Sequence, residues 1–517
     1  MRQHIPGTIG DFGTRKIQTR TSLLTRALEN RERMSTQWRG KKKRGGGYAV
    51  NVTPFPMFRG STKQTCGLNP WISGNNVPRI GAPMGIHYDT LENLGCDPLS
   101  WHQAGLITNP SLAFMSSPSA GKSTAARVMM RGMTAHGVKH MTIGDIKNEH
   151  GEQAEKDGAN HVVLSPNGGC LNVLDPGNIQ AILDKIDLKL GDTEDARKCR
   201  DAVLSDFHNR RAEITQALIA IQRGGELIGY EESVIYSALK EMYETDPARV
   251  PVLEDLRGFI KNPPTDGIKE LCDWDNDESR YQDRVDKLRL DLAAVCRSGT
   301  LGPMFNGPTT VDLRHDQGMV FDISAVRRAA PKILSAAYLV TWIVAFGIIE
   351  TSHILADYEV HDREQFAAWL EEFWLALSAS KGIVDKVNRV GRTNRTDGVA
   401  IIYLVHTLND FKALPDAEDR AKAAGILNKC GMKWFGGLPR PELEKISEEV
   451  TKLSKSAMDQ LEDWDNPAFS DEDGVIPGRG CFAIVRAGQP IIPVRVLLTE
   501  TERRQSLHDT DKRLHTV

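Results

Sequence analysis

The sequence predicts an α/β protein built on a parallel-rich central sheet, with a small β-rich segment before the core and a helical insertion within it. Three observations carry this. Leu112-Ala-Phe-Met-Ser-Ser-Pro-Ser-Ala-Gly121-Lys122-Ser123-Thr124 is an apolar run, then small residues, then the start of an Ala/Met-rich helix. His140–Asp145 and His161–Ser165 follow as further short apolar runs, at strand–helix–strand spacing. Residues 177–300 then change character, to long amphipathic stretches with apolar residues at helical spacing and abundant charge.

The chain of 517 residues is long enough for several domains with a full core, and 40% hydrophobic with 26% charged residues is the balance of a globular protein. A net charge of −3 conceals an asymmetry. Residues 1–47 hold twelve Lys/Arg against three Asp/Glu and end in Trp38-Arg-Gly-Lys-Lys-Lys-Arg-Gly-Gly-Gly47, so they read as a basic flexible arm. Such an arm is either a solvated tail or an electrostatic foot for DNA or anionic lipid. The eight Cys form no C-x-x-C pair, which argues against a zinc site or a disulfide framework and suits a reducing cytosol. The polar, basic N-terminus lacks the apolar core of a secretory signal. Ile333–Ile349 reaches the lower length limit of a spanning helix, but its Ser, Thr and small residues suit a helix buried on all sides.

Residues 48–110 are rich in Gly, Pro and Asn with short apolar runs, which reads as a small β-rich subdomain. The run at 112–124 comes next. A triphosphate needs inward backbone N–H groups, a Lys cation and a hydroxyl for Mg²⁺. Lys122 and Ser123 supply the last two, and the helix they open, through about His136, adds its free N–H groups and dipole. The loop Ser116, Ser117, Pro118, Ser119, Ala120, Gly121, with Thr124 just inside the helix, therefore reads as an ATP cradle. One departure from G-x-x-x-x-G-K-[ST] is visible: Ser116 stands where the first glycine belongs. The stretches Ile179–Leu190, Ala196–Gln222, Glu231–Tyr243 and Tyr281–Cys296 form the helical insertion. Gly318–Ser324 returns to the sheet, Val399–His406 is one more core strand, and Gly480–Leu498 is a hairpin around Ala-Gly-Gln. The resulting division is arm 1–47, β-rich segment 48–110, core 111–176, insertion 177–300, core 301–505 and tail 506–517.

Hydrolysis needs a carboxylate for the Mg²⁺ shell and usually a second to polarise water. By pattern alone, Met319-Val-Phe-Asp322 is the best apolar run ending in an acid, although Ile323 follows where a base would stand. In order along the chain, further pieces resemble the motor ATPases of conjugation and type IV secretion, relatives of hexameric DNA-pumping ATPases. These pieces are Ser116–Ser123, Asp145-Ile-Lys147-Asn-Glu149, Leu171-Asn172-Val-Leu-Asp175 and Gly299-Thr-Leu-Gly-Pro-Met-Phe305-Asn-Gly307, and the resemblance spans about 50–505. It implies a RecA-like P-loop core and places the acidic pair at Glu371-Glu372, after Phe366–Leu370 and two residues before Trp374. Glu371 would then be the metal carboxylate, with Glu where the family has Asp, and Glu372 the base. The alternative for 366–377 is an amphipathic helix with a charged face.

Asn388-Arg389-Val-Gly-Arg392 resembles the family's arginine element. Arg392 is the better match and Arg389 the second for a residue reaching a neighbour's γ-phosphate; two solvated arginines are the alternative. His406 stands where the family has a γ-phosphate-sensing Gln, or is a core histidine. The resemblance further implies a homo-oligomeric ring, a hexamer, in the cytoplasm at the inner face of the bacterial membrane, held there by partner components of the transfer apparatus. Ser116, Glu371 and His406 together point to a slow or partner-activated ATPase. Two other functions stay open: a translocase threading duplex DNA through a ring, and a nucleotide-dependent assembly scaffold with little turnover.

Overall fold

The computed structural model describes residues 77–175, 177–313, 317–372, 374, 398–408, 410, 417–465 and 478–504. The basic arm, residues 48–76, Arg389, Arg392 and the tail lie outside them. Eleven strands form one sheet in the order β2-β1-β11-β10-β9-β3-β8-β7-β4-β6-β5. From β9 (Met432–Phe435) through β3 (Ser111–Met115), β8 (Val399–Val405), β7 (Phe366–Leu370), β4 (Lys139–Asp145) and β6 (Met319–Asp322) to β5 (Asn160–Val163), every pairing is parallel. At the other edge β10 (Cys481–Arg486), β11 (Ile492–Val496), β1 (Pro83–His87) and β2 (Asn93–Gly95) pair antiparallel.

Parallel strands covered by helices on both faces must be apolar throughout. Accordingly every residue of β3, β7 and β8 is buried. Alternate side chains feed two cores, as the two-residue period of a strand requires. Leu112 and Phe114 join a core with Met129, Met130 and Trp434, whereas Ala113 and Met115 face one with Tyr338 and Ile348. The first core is roofed by α2 (Lys122–Ala135), which follows the short helix α1 (Pro98–Gln103). A short helix α3 (Gly151–Lys156) joins β4 to β5.

The insertion comprises α4 (Ile179–Leu190), α5 (Glu194–Arg223), α6 (Gly229–Thr245), α7 (Leu253–Lys261), α8 (Gly267–Glu270) and α9 (Glu278–Cys296). Arg223 ties three of these together through two bonds to Glu231 (2.6 and 2.7 Å) and one to Asp291 (2.7 Å). After α10 (Leu301–Phe305), the apolar segment forms α11 (Pro331–Asp357), packed along α5 and β4. It is the one helix among the described residues long and apolar enough to cross a membrane, but 83% of its most apolar window is buried inside the protein. The hairpin forms as β10 and β11. Helices α12 (Ala417–Lys429), α13 (Arg440–Glu449), α14 (Lys455–Asp465) and α15 (Glu500–Arg504) complete the chain. The described strands of the 48–110 segment, β1 and β2, extend the central sheet, because β1 finds its hydrogen-bond partners on β11 as well as β2. That edge is continuous with the core sheet.

Candidate nucleotide-binding site

In an open α/β sheet, ligands bind at the carboxyl ends of the strands where the connections diverge. Here the chain leaves β3 and returns as β4, skipping the places that β8 and β7 occupy. The carboxyl ends of β3, β8 and β7 are therefore neighbours, and they carry Ser116, His406 and Glu371-Glu372. The segment 366–370 is a strand, so the acidic pair sits at a strand terminus and not on a helix face.

The loop between β3 and α2 turns through left-handed conformations at Ser119 (φ 67°) and Gly121 (φ 94°), the latter capping α2. It is braced from outside: Gly437 O accepts from Ser117 N and Ala120 O from Gly480 N, both at 2.9 Å. Ser116, at the position where the motif has glycine, is fully buried. Its room comes from across the sheet, since a Cβ added at Gly436 would lie 2.6 Å from Ser116 Cβ. The missing glycine of the loop is thus supplied by the neighbouring strand end. Gly436→Ala is expected to displace the loop and weaken nucleotide binding, and Ser116→Gly in the same chain to restore it. Equilibrium binding of a fluorescent ATP analogue to the single and double variants checks this.

Lys122 is buried, and its Nζ donates to Val405 O (3.0 Å) and His406 Nδ1 (3.1 Å). Burial pushes its pKa down, against the pull of Glu371 and Glu372. An ammonium has only donors, so His406 Nδ1 accepts and the ring proton lies on Nε2, which donates to Glu372 Oε1 at 3.1 Å. His406 links the phosphate-loop cation to the acidic pair.

Glu372 sits at φ 44°, an uncommon backbone for a non-glycine residue. Its Oε1 also accepts from Lys147 Nζ and its Oε2 from Trp374 Nε1, each at 3.0 Å. Burial alone would raise its pKa; the His406 bond and the Lys147 charge override that and hold it far below the usual carboxylate range. Glu371 faces elsewhere. Its Oε1 meets His150 Nε2 at 2.8 Å, and its backbone O accepts from the Tyr338 hydroxyl at 2.9 Å. Burial disfavours both charges of this pair, yet their mutual bond wins: His150 is raised and Glu371 lowered from their ordinary values. Asp145, at the end of β4, fixes the turn that carries Lys147 and His150, accepting from the backbone N of Glu149 (3.0 Å) and His150 (2.9 Å).

Asp322 lies farther along the sheet on β6, beyond β4, where it accepts from Ser324 N at 2.7 Å and sits 3.4 Å from His161 Nε2. The groups brought together are therefore Ser116–Thr124, Glu371, Glu372 and His406, joined by Lys147 and His150. Lys147 was read from the sequence only as part of the Asp145-Ile-Lys147-Asn-Glu149 element, with no role assigned, and His150, next along the chain, was not singled out. These residues fit a magnesium–nucleotide. The first-turn N–H groups of a helix have no intrahelical acceptor, Lys122 is a buried cation whose two partners are neutral, and Ser123 stands on the same turn. Glu371 Oε2 makes no hydrogen bond among the described residues.

No protein-family profile matches the chain, and no curated protein sequence matches it. Its structure is similar to that of VirB4 of Thermoanaerobacter pseudethanolicus, at a TM-score of 0.55 and 17% identity, over 83% of this chain and 98% of that one. The chain has a RecA-like α/β fold. The expected fold class is thereby met. A second similar structure, the bacterial conjugative coupling protein TrwBdeltaN70, aligns at a TM-score of 0.44 and 11% identity over 81% of this chain and 89% of that one.

Proposed function

We propose that the chain is a magnesium-dependent ATPase serving as a motor of conjugative DNA transfer or type IV secretion. One observation carries the reading: His406 joins the phosphate-loop lysine to a carboxylate at the neighbouring strand end. ATP would lie with its phosphates against the amides of Ala120 to Thr124, and Lys122 would exchange its carbonyl partner for the β- and γ-phosphates. Ser123 and Glu371 would hold Mg²⁺, which supplies neutralisation of the charge developing on the phosphates. Glu372 would orient the attacking water, and His406 Nε2–H, once released from Glu372, would sense the γ-phosphate. Arg392, or Arg389 in its place, would reach in from a neighbouring subunit of a hexameric ring, where a guanidinium offsets transition-state charge. The ring would work in the cytoplasm, at the inner face of the membrane, with transfer-apparatus partners; the basic arm is its candidate DNA contact.

A second reading follows from Glu372 itself. Three donors occupy its two oxygens, so as arranged it has little capacity to take a proton from water. A scaffold that binds ATP and hardly turns it over would look the same. Steady-state hydrolysis by wild type and Lys122→Ala, with and without duplex DNA at several salt concentrations, separates the cases. Turnover that Lys122→Ala abolishes supports the motor. Salt-sensitive stimulation by DNA identifies a translocase, because phosphate contacts release counterions. ATP binding without turnover under any condition leaves the scaffold.

A further inference from the structure

Away from the phosphate loop, a cavity of about 60 Å³ lies where the insertion meets the core, between α4, α5, α11 and the segment 171–177. Its walls are largely aliphatic, with Ile182, Ile214, Val344 and Ile348 among them. Two adjacent arginines of α5, Arg210 and Arg211, also line it. Arg211 is 2% exposed, and its Nε and Nη2 are buried without a hydrogen-bond partner. The guanidinium stacks on the Phe207 ring at 4.7 Å. Burial pushes its pKa down to about 10, against the opposing pull of Tyr243 and Asp175. Arg210 Nη2 bonds to Thr351 Oγ1 at 3.1 Å and pairs with Asp206, but its Nε is buried and unpaired too. The fold makes space for it: a Cβ at Gly347 of α11 would come within 2.3 Å of Arg210 Cδ.

A buried guanidinium without an anion is costly, and such groups are found paired. Arg210 and Arg211, each carrying buried N–H groups without a partner, line one cavity, whose other walls are mostly apolar apart from Asn172, Asp175 and Thr351. We infer that this cavity is a binding site for a small monocarboxylate with an aliphatic tail. The planar fork of a guanidinium matches a carboxylate, and the volume holds that group with a methylene or two. Asp175, also in the lining, already offsets part of the Arg211 charge, so the site has room for one negative charge at most and a dianion such as phosphate is disfavoured. The exposed Gly177 marks the rim through which a longer tail would leave. The ligand would bridge the helical insertion and the core, at a place the nucleotide does not reach.

The test is calorimetric titration of the full chain, without nucleotide, with butyrate, hexanoate, 1-butanol and inorganic phosphate. Hexanoate and butyrate are expected to bind, and 1-butanol and phosphate not to. Arg211→Met keeps the side-chain length and removes the fork, and should weaken carboxylate binding by at least roughly tenfold. Because Arg211→Met also removes an unpaired buried charge, it is expected to fold; Arg211→Lys, which keeps the charge and loses the bidentate geometry, provides the same comparison should it not. Absence of carboxylate binding to wild type overturns the inference. Equal binding by wild type and the variants overturns it as well, and so does Arg211-dependent binding of phosphate in place of the carboxylates.

Discussion

Glu372→Gln is expected to lower ATP turnover by about 10²- to 10⁴-fold, the range associated with a positioned general base, while nucleotide binding persists. The substitution is nearly isosteric but replaces one acceptor oxygen by a donor NH₂. Glu372 now accepts from His406 and Lys147 on one oxygen and from Trp374 on the other, and an amide cannot satisfy all three. Nothing in the phosphate loop depends on that carboxylate directly, so the ammonium of Lys122 and the amides of α2 remain available to the phosphates. Single-turnover hydrolysis beside equilibrium binding of a fluorescent nucleotide reads the two effects apart. Undiminished hydrolysis by Glu372→Gln would put the base elsewhere and return Asp322 to consideration. Acid should not mimic the substitution within the ordinary carboxylate range. The bonded Glu372 has its pKa held far below normal, so it stays ionised as pH falls through that range.

Gly144→Ala is expected to cost about 3 kcal/mol of stability, by adding the penalty of a left-handed alanine to that of an overpacked core. Gly144 lies at φ 73° near the end of β4, and a Cβ there would fall 2.1 Å from the ring of Tyr338. Tyr338 is fully buried on α11 and cannot swing aside, and its hydroxyl holds the backbone of Glu371. The same methyl should therefore loosen the acidic pair. Urea denaturation measures the first effect and the hydrolysis rate the second. A midpoint and rate both equal to wild type would show that Tyr338 has more freedom than its packing implies.

What the sequence made legible was local. The turn from β3 into α2, the helices of the insertion and the buried character of α11 all rest on short-range pattern, and each formed within a few residues of its expected place. Strand order is not local, and nothing in the spelling of β7 says that β8 lies between it and β3. The Ser116 departure looked like a weakness of the loop; its compensation stands at Gly436, far along the chain, and only packing reveals it. His150 was invisible for the same reason, because its partner Glu371 arrives from another strand. The segment 366–377 was ambiguous between helix and strand from its Ala/Leu/Glu content. Burial on both faces decided for the strand over Phe366–Leu370, a long-range effect overriding local propensity.

The position of β3 also sets a timetable for biosynthesis. Both neighbours of this strand, β8 and β9, begin after residue 398, and the backbone that braces the loop at Ala120 comes from Gly480. At roughly 5–20 residues per second, the phosphate loop therefore waits on the order of 20–70 s after its own synthesis before its supports emerge from the ribosome. Through that interval β3 and α2 are apolar segments without a sheet to join, exposed to mispairing and to chaperones. The proposed nucleotide cradle is among the last things the chain completes, so a bound nucleotide could not template the fold early.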